Sequence, residues 1–146
     1  MSGPQPNAHH TGEISELQVA TEYKKARYNI LWPGTHQVPY DFVAERGGQF
    51  ERVQVKSGRV DGGSIDIHVC SWKNDGAARE YGDNEIDAFG IYVRELEQVY
   101  IVPVEIAPKQ NMRLRLDAVT NGTDRVHWAA KYEAEQVLQN NLDEWS

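Results

Sequence analysis

The sequence has a single cysteine, few lysines and no long apolar run. The lone Cys70 excludes an intrachain disulfide framework and a cysteine-rich zinc site. No segment reaches the roughly 18 consecutive apolar residues that a membrane-spanning helix requires. The N-terminus also lacks the apolar core of a secretory signal. We therefore expect a soluble cytoplasmic protein.

Basic charge is also scarce. The chain carries 15 Lys and Arg residues against 22 Asp and Glu residues, a net charge of −7. This balance counts against a large nucleic-acid footprint, which is normally basic. Two interpretations stay open: an ordinary acidic cytosolic protein, or one adapted to a very salty cytoplasm such as that of a halophilic archaeon.

The 146 residues, 40% hydrophobic and 10% aromatic, are enough for one domain with its own core. Residues 1–11 are polar and lack periodicity, so we predict a disordered N-terminal arm followed by a single domain over residues 12–146. Alternating apolar residues predict several strands after an initial helix.

The initial helix is predicted over Glu13–Arg27, which is rich in helix-forming residues. Its apolar face comprises Leu17, Val19, Ala20, Tyr23 and Ala26. Glu16 lies near the middle of that face, where an ionised carboxylate is costly unless it is compensated. Glu16 therefore either reaches solvent, pairs with an arginine or helps to hold a metal ion.

A β-hairpin follows, with strands Tyr40–Glu45 and Phe50–Ser57 around a two-residue turn at Gly47-Gly48. This turn pairs Arg46 with Gln49, and the same register places Asp41 opposite Gln54. Since side chains alternate along a strand, Lys56 shares the face of Gln54. The opposite face reads as core and comprises Phe42, Ala44, Val53 and Val55.

The cluster of Asp41, Gln54 and Lys56 suits phosphodiester hydrolysis. An Asp41 oxygen and the backbone carbonyl of Val55 are hard ligands for Mg²⁺, and Glu16 would complete the site from the helix. Gln54 offers a neutral amide, while Lys56 offsets charge on the phosphate. The alternative is that Asp41 is a turn residue and that Gln54 and Lys56 lie on a solvated face.

From Gly12 to Arg59 the sequence resembles the PD-(D/E)XK endonuclease superfamily, in which a helix bearing Glu precedes a hairpin carrying Asp and E/Q-x-K. It is most similar to the branch with archaeal Holliday junction resolvases and a group I intron homing endonuclease. The resemblance implies an α/β restriction-endonuclease-like core with a central mixed β-sheet flanked by helices. It implies catalytic roles for Glu16, Asp41, Gln54 and Lys56. Gln54 stands where most members have a second acid, which leaves the number of metal ions open.

The resemblance further implies a Mg²⁺- or Mn²⁺-dependent DNA endonuclease acting on duplex or branched DNA. A catalytically weak or inactive DNA-binding protein of the same fold is one alternative, and a metal-independent interaction domain is another. Basic residues in or near the loops after the hairpin are candidate DNA contacts, although each could be an ordinary surface charge: Arg52, Arg59, Lys73 and Arg79.

Cutting both strands of DNA requires two such sites, so we expect a homodimer or a higher homo-oligomer. A predicted closing helix over Asp124–Leu142, with Trp128 and Tyr132, and a strand over Val99–Ile106 are candidate interfaces. They could equally serve only to cover the sheet.

Overall fold

The computed structural model describes residues 8–68, 71–72, 78–79, 85–107, 111–116 and 127–144. The helices are α1 (Ala8–Lys25) and α2 (Ala134–Glu144), with short 3₁₀ helices at Arg94–Leu96, Val104–Ile106 and Ala129–Tyr132. The strands are β1 (Asn29–Leu31), β2 (Phe42–Arg46), β3 (Gln49–Asp61), β4 (Ser64–His68), β5 (Ser71–Trp72), β6 (Ala78–Arg79), β7 (Ala88–Val93), β8 (Gln98–Pro103) and β9 (Asn111–Arg115). No helix within these ranges is long and apolar enough to cross a membrane.

Within the described residues, seven strands form one mixed sheet around the long strand β3. One path runs β1-β2-β3-β4-β9, and β7 pairs with the other edge of β3 and with β8. The β3–β7 pair is parallel, whereas the remaining pairs of this sheet are antiparallel. Strands β5 and β6 form a separate antiparallel pair.

Helix α1 begins earlier than the sequence predicts. Residues 8–11, which we assigned to the disordered arm, form its first turn, and residues 1–7 lie outside the described part of the chain. Leu17, predicted to be buried, is 61% exposed. The buried stripe runs instead through Ser15, Val19 and Tyr23. Leu17 is two positions, or about 200°, from both Ser15 and Val19, so it faces away from the sheet.

Both faces of the sheet carry a hydrophobic core. Helices α1 and α2 cover one face, where the buried residues include Val19, Tyr23, Phe42, Val53, Ile101 and Leu138. The other face packs β4 and β9 and the 3₁₀ segment Ala129–Tyr132 against β7 and β8, and its core includes Ile65, Ile67, Phe89, Ile91, Val102 and Leu114. The predicted core face of the hairpin is confirmed.

The closing helix is shorter than the predicted Asp124–Leu142. Glu133 has extended backbone angles and forms an antiparallel bridge with Tyr100, so α2 starts only at Ala134. Ala134 and Leu138 pack in the same core as Val99. The apolar residues that we offered as an oligomer interface are therefore largely used to cover the sheet of their own chain.

Close packing of α1 on the sheet depends on Gly90 in β7. A Cβ atom at this position would overlap the Val19 side chain and press on Val53. Val19 is β-branched and has little rotamer freedom in a helix, so it cannot turn aside cheaply. The helix that carries Glu16 is thus held at a fixed distance from the strands.

We expect Gly90→Ala to lower the free energy of unfolding by about 1–3 kcal/mol through overpacking. Gly12→Ala, on the exposed side of α1 with open space around it, is the control and should stabilise the protein by about 0.5–1 kcal/mol. Urea unfolding measures both, and equal stabilities for the two variants would contradict this account of the packing.

Candidate active site

The hairpin that carries the candidate residues has the predicted register. Arg46 pairs with Gln49, Val43 with Arg52 and Phe42 with Val53. Gly47 and Gly48 have φ angles of 61° and 82°, which side-chain-bearing residues rarely adopt. The two glycines therefore fix the turn, and the turn fixes which residues face each other.

One edge of β3 is only partly covered. β7 pairs with residues 53–58 along one edge, and β2 and β4 share the opposite edge. β2 covers residues 49–53 of that edge and β4 covers residues 58–61. Residues 54–57 therefore have no strand beside them there, and we call this stretch the open edge.

Asp41 occupies the open edge. Its backbone N–H donates to the Val53 carbonyl at 2.8 Å, and its Oδ2 accepts the Val55 N–H at 2.7 Å. We predicted Asp41 inside a strand, but β2 begins at Phe42 and the Asp41 side chain caps the backbone of β3. Since the N–H and C=O of one residue leave a strand on the same side, the Val55 carbonyl also faces this edge. Gln54 Nε2 donates to that carbonyl at 3.4 Å.

Glu16 reaches the same place from helix α1, where its side chain is hydrogen-bonded to Asp41. The preceding residue anchors this turn of the helix, because Ser15 Oγ and Ser57 Oγ are 2.6 Å apart. The placement of Glu16 within an apolar helix face is thus explained by its partner.

The pKa of Asp41 is raised because burial disfavours its charge. The Val55 N–H, the Lys56 ammonium and the Glu16 hydrogen bond each lower it, but together they do not offset the burial. The positive charge near Asp41 is thus too small to offset the cost of burying its ionised form. A divalent cation would supply that charge.

The available donors fit a hard cation. Two carboxylates and one backbone carbonyl are oxygen ligands of the kind that Mg²⁺ and Mn²⁺ take, with water completing the shell. In the part of the chain that the structure describes, no group of three His, Cys, Asp or Glu side chains forms a metal cluster. Gln54, standing where a second strand acid would be, accounts for this small number of anionic ligands.

The candidate DNA contacts have different positions. Arg52 pairs with Asp87, with Nε–Oδ2 and Nη2–Oδ1 distances of 3.0 and 3.1 Å, and its backbone N–H donates to the same carboxylate at 2.7 Å. This contact joins β3 to the start of β7, so the structure gives Arg52 a structural partner. Arg59 is exposed on β3, Arg79 lies in β6, and Lys73 lies outside the described residues.

The sequence analysis missed Asp87. Its carboxylate accepts the Arg52 bonds, which hold its pKa below the ordinary value. Its backbone N–H also donates to the Arg52 carbonyl at 2.8 Å. The only signal in the sequence was an acid immediately before a strongly apolar strand, which by itself does not identify a partner 35 residues away.

Comparisons with known proteins show similarity in sequence and in fold. A family model described as PD-(D/E)XK endonuclease matches residues 6–135. Protein 5.3 of Escherichia phage T7 is 30% identical over 93 residues, which are 60% of this chain and 74% of the phage protein. A solved structure of a bacterial homing endonuclease, I-Ssp6803I, is 21% identical with a TM-score of 0.72, covering 97% of this chain and 99% of that one. The predicted restriction-endonuclease-like fold is confirmed by this likeness.

We expect Asp41→Asn to raise the thermal stability of the metal-free protein at neutral pH. The amide oxygen can still accept the Val55 N–H, while the costly buried charge is gone. Because the folded-state pKa is raised, wild-type stability falls as the pH rises through that pKa. The difference between the proteins should narrow as the pH is lowered towards the ordinary value of 3.8. Thermal melts in EDTA at several pH values measure this difference in stability. A variant that melts below wild type at neutral pH would contradict the prediction.

We expect Arg52→Gln and Asp87→Asn each to cost about 0.5–1 kcal/mol at pH 7, as is usual for a partly exposed pair. The double variant should lose less than the two costs added, because either change breaks the same contact. The Asp87 contribution is present above its ordinary pKa and is lost as the pH falls through its lowered folded-state value. Urea unfolding supplies these values. A loss of DNA affinity in Arg52→Gln at unchanged stability would instead favour a contact role.

Proposed function

Because the chain belongs to the PD-(D/E)XK endonuclease family, we propose that it is a divalent-metal-dependent endonuclease that hydrolyses phosphodiester bonds in DNA. The observation that supports this most directly is the contact between Asp41 and Glu16 beside Lys56, at the open edge of β3. A carboxyl pair held in a partly buried place, short of positive charge, is a poor structural feature and a good cation site.

In this proposal Asp41, Glu16 and the Val55 carbonyl hold a Mg²⁺ or Mn²⁺ ion. Nucleases of this family generally use divalent metals. The bound ion supplies a polarised phosphoryl oxygen and a water of lowered pKa. The protein keeps the Asp41 oxygens in place through the Val55 N–H, which leaves little freedom for this side chain to rearrange when DNA arrives.

Lys56 and Gln54 contribute charge and orientation. The Lys56 ammonium already acts on Asp41, so it lies close enough to neutralise charge that develops on a phosphate bound there. The Gln54 amide donates to Val55 O over a long 3.4 Å, a bond that is readily exchanged. If the Val55 carbonyl held a cation, the Gln54 amide would be available to orient the attacking water.

A DNA-binding protein that has kept the fold without efficient cleavage is the second candidate. Gln54 in place of a second strand acid and the net charge of −7 favour it. The two candidates differ in whether the protein cuts the phosphodiester bond. Both allow either duplex or branched DNA as the bound nucleic acid. One site cuts one strand, so double-strand cutting by this protein requires a homodimer or a higher homo-oligomer.

We expect the wild-type protein to nick supercoiled plasmid, linear duplex or a four-way junction in Mg²⁺, and EDTA to abolish the reaction. Asp41→Asn, Glu16→Gln and Lys56→Met should each lower the single-turnover rate at least about 100-fold, since each removes a charge from the reacting centre. Gel electrophoresis of the three substrates gives the rates and ranks the substrates.

Glu45→Gln and Lys24→Met are the matched controls, because they make the same chemical changes on the same hairpin and helix away from the open edge. Both should keep wild-type rates. DNA binding without cleavage on all three substrates would favour the second candidate, and unimpaired cleavage by Asp41→Asn would exclude the proposed metal site.

A further inference from the structure

The end of β3 pairs with β4, and β4 pairs with β9, so residues 58–61, 64–68 and 111–115 form a three-stranded ribbon, and Ser57 lies just before it. Its two faces differ sharply. One face is apolar and packs in the core, with Val60, Ile65, Ile67, Met112 and Leu114. The other face is polar and lines a cleft of about 650 Å³, with Ser57, Arg59, Asp66, His68, Asn111 and Arg113. We call this the polar ribbon face.

The polar ribbon face adjoins the candidate active site through helix α1. Ser57 faces away from Lys56 on β3, but its hydroxyl bonds to Ser15, which precedes Glu16 on α1. Neighbouring strands lie about 4.8 Å apart, so β9 is about 10 Å across the ribbon from Ser57. On DNA this is about three base-pair steps. A DNA strand held beside Glu16 and Asp41 for cutting would therefore pass the ribbon within a few base pairs of the cut.

The charge on this face opposes that of the whole chain. Arg59 and Arg113 face the cleft together with a single carboxylate, Asp66. Arg113 donates to Asp66 with an Nε–Oδ1 distance of 2.8 Å, so that carboxylate is neutralised in place. Among the described residues, Arg59 has no carboxylate within ion-pair distance, and it is exposed. The net positive charge complements a phosphate backbone.

The side chains of the outer strand are also held in place. Asp66 fixes one side of the Arg113 guanidinium, and His68 Nδ1 lies 2.7 Å from Asn111 Oδ1. A two-stranded ribbon such as the outer pair β4–β9 fits the major groove of duplex DNA, where Arg recognises guanine and Asn recognises adenine through paired hydrogen bonds. Buttressing of this kind lowers the entropy that such contacts lose on binding.

We propose that the polar ribbon face reads base edges in the major groove of duplex DNA, with Asn111 and Arg113 contacting bases and Arg59 contacting a phosphate. This inference rests on the proposed endonuclease function, for which it supplies the sequence preference. It also assigns a role to β9, which lies far along the sequence from the hairpin and its motif.

The test is selection of wild-type protein on a library of duplexes with a randomised centre, by gel shift in EDTA, where a metal-dependent enzyme does not cleave. Sequencing should reveal a preferred motif. Asn111→Ala and Arg113→Lys should lose preference at one or two base pairs each and bind the wild-type motif roughly 10- to 100-fold more weakly. Arg113→Lys keeps the charge but not the paired geometry, so it separates base reading from general attraction.

Arg59→Gln should weaken binding to every duplex alike and make affinity less dependent on salt. Lys24→Gln, which removes one positive charge near the far end of α1, is the control and should bind as wild type does. Circular dichroism and thermal melts check that each variant is folded. Wild-type protein that binds no duplex, binds without preference, or keeps its motif in both β9 variants would overturn the proposal.

The selection separates this proposal from the endonuclease proposal. A ribbon-dependent motif without cleavage of any DNA in Mg²⁺ would leave the reading surface standing and remove the enzymatic role. Metal-dependent cleavage, with a preferred motif that the Asn111 and Arg113 variants leave unchanged, would support the enzymatic role and overturn the reading surface.

Discussion

Strand β3 must satisfy its backbone along 13 residues, although β2 and β4 leave part of one edge bare. A buried N–H without an acceptor costs about 1–3 kcal/mol, so some oxygen has to close the gap. The Asp41 carboxylate does so at Val55. The same side chain is therefore needed by the sheet and by the candidate site, and the chemistry lies where the sheet is incomplete.

Helix α1 completes the site because three contacts fix it on the sheet. Ser15 bonds to Ser57, Val19 packs against the bare Gly90, and Tyr23 donates to Glu51 Oε1 at 3.1 Å. This last hydrogen bond is partly buried, and burial raises the pKa of the Glu51 carboxyl. Glu16 lies between the first two of these contacts. Its carboxyl group is accordingly placed by packing on either side of it.

The sequence alone predicted those features of the site that depend on residues close together in the chain. Gly47-Gly48 dictates the register, which predicted Asp41 opposite Gln54, and the structure has Asp41 bonded to the neighbouring Val55. A carboxylate on an apolar helix face pointed to Glu16, since a charge there needs a reason. Because all of these residues lie between positions 12 and 58, local rules were enough to predict that they lie near one another.

Contacts between residues far apart in the sequence were not predicted by the same local rules. Arg52 was predicted as a candidate DNA contact because its partner, Asp87, is 35 residues away in the sequence. The closing helix looked continuous because the bridge from Glu133 to Tyr100 cannot be seen from helix propensity. The ribbon was not predicted, because β9 pairs with β4 across more than 40 residues. Its Arg and Asn side chains form no distinctive sequence pattern.

The shared use of β3 by the open edge and the ribbon has an evolutionary consequence. Side chains alternate along a strand, so one residue inserted between Lys56 and Arg59 would turn the ribbon's apolar face to solvent. Inserting two residues would restore the faces but move the ribbon about 6.6 Å, or two base-pair steps, from the cutting position. Descendants of this protein are thus free to change the identity of ribbon side chains but not the number of residues before them. Length variation should be confined to places such as the Gly62-Gly63 turn, beyond the last paired residue.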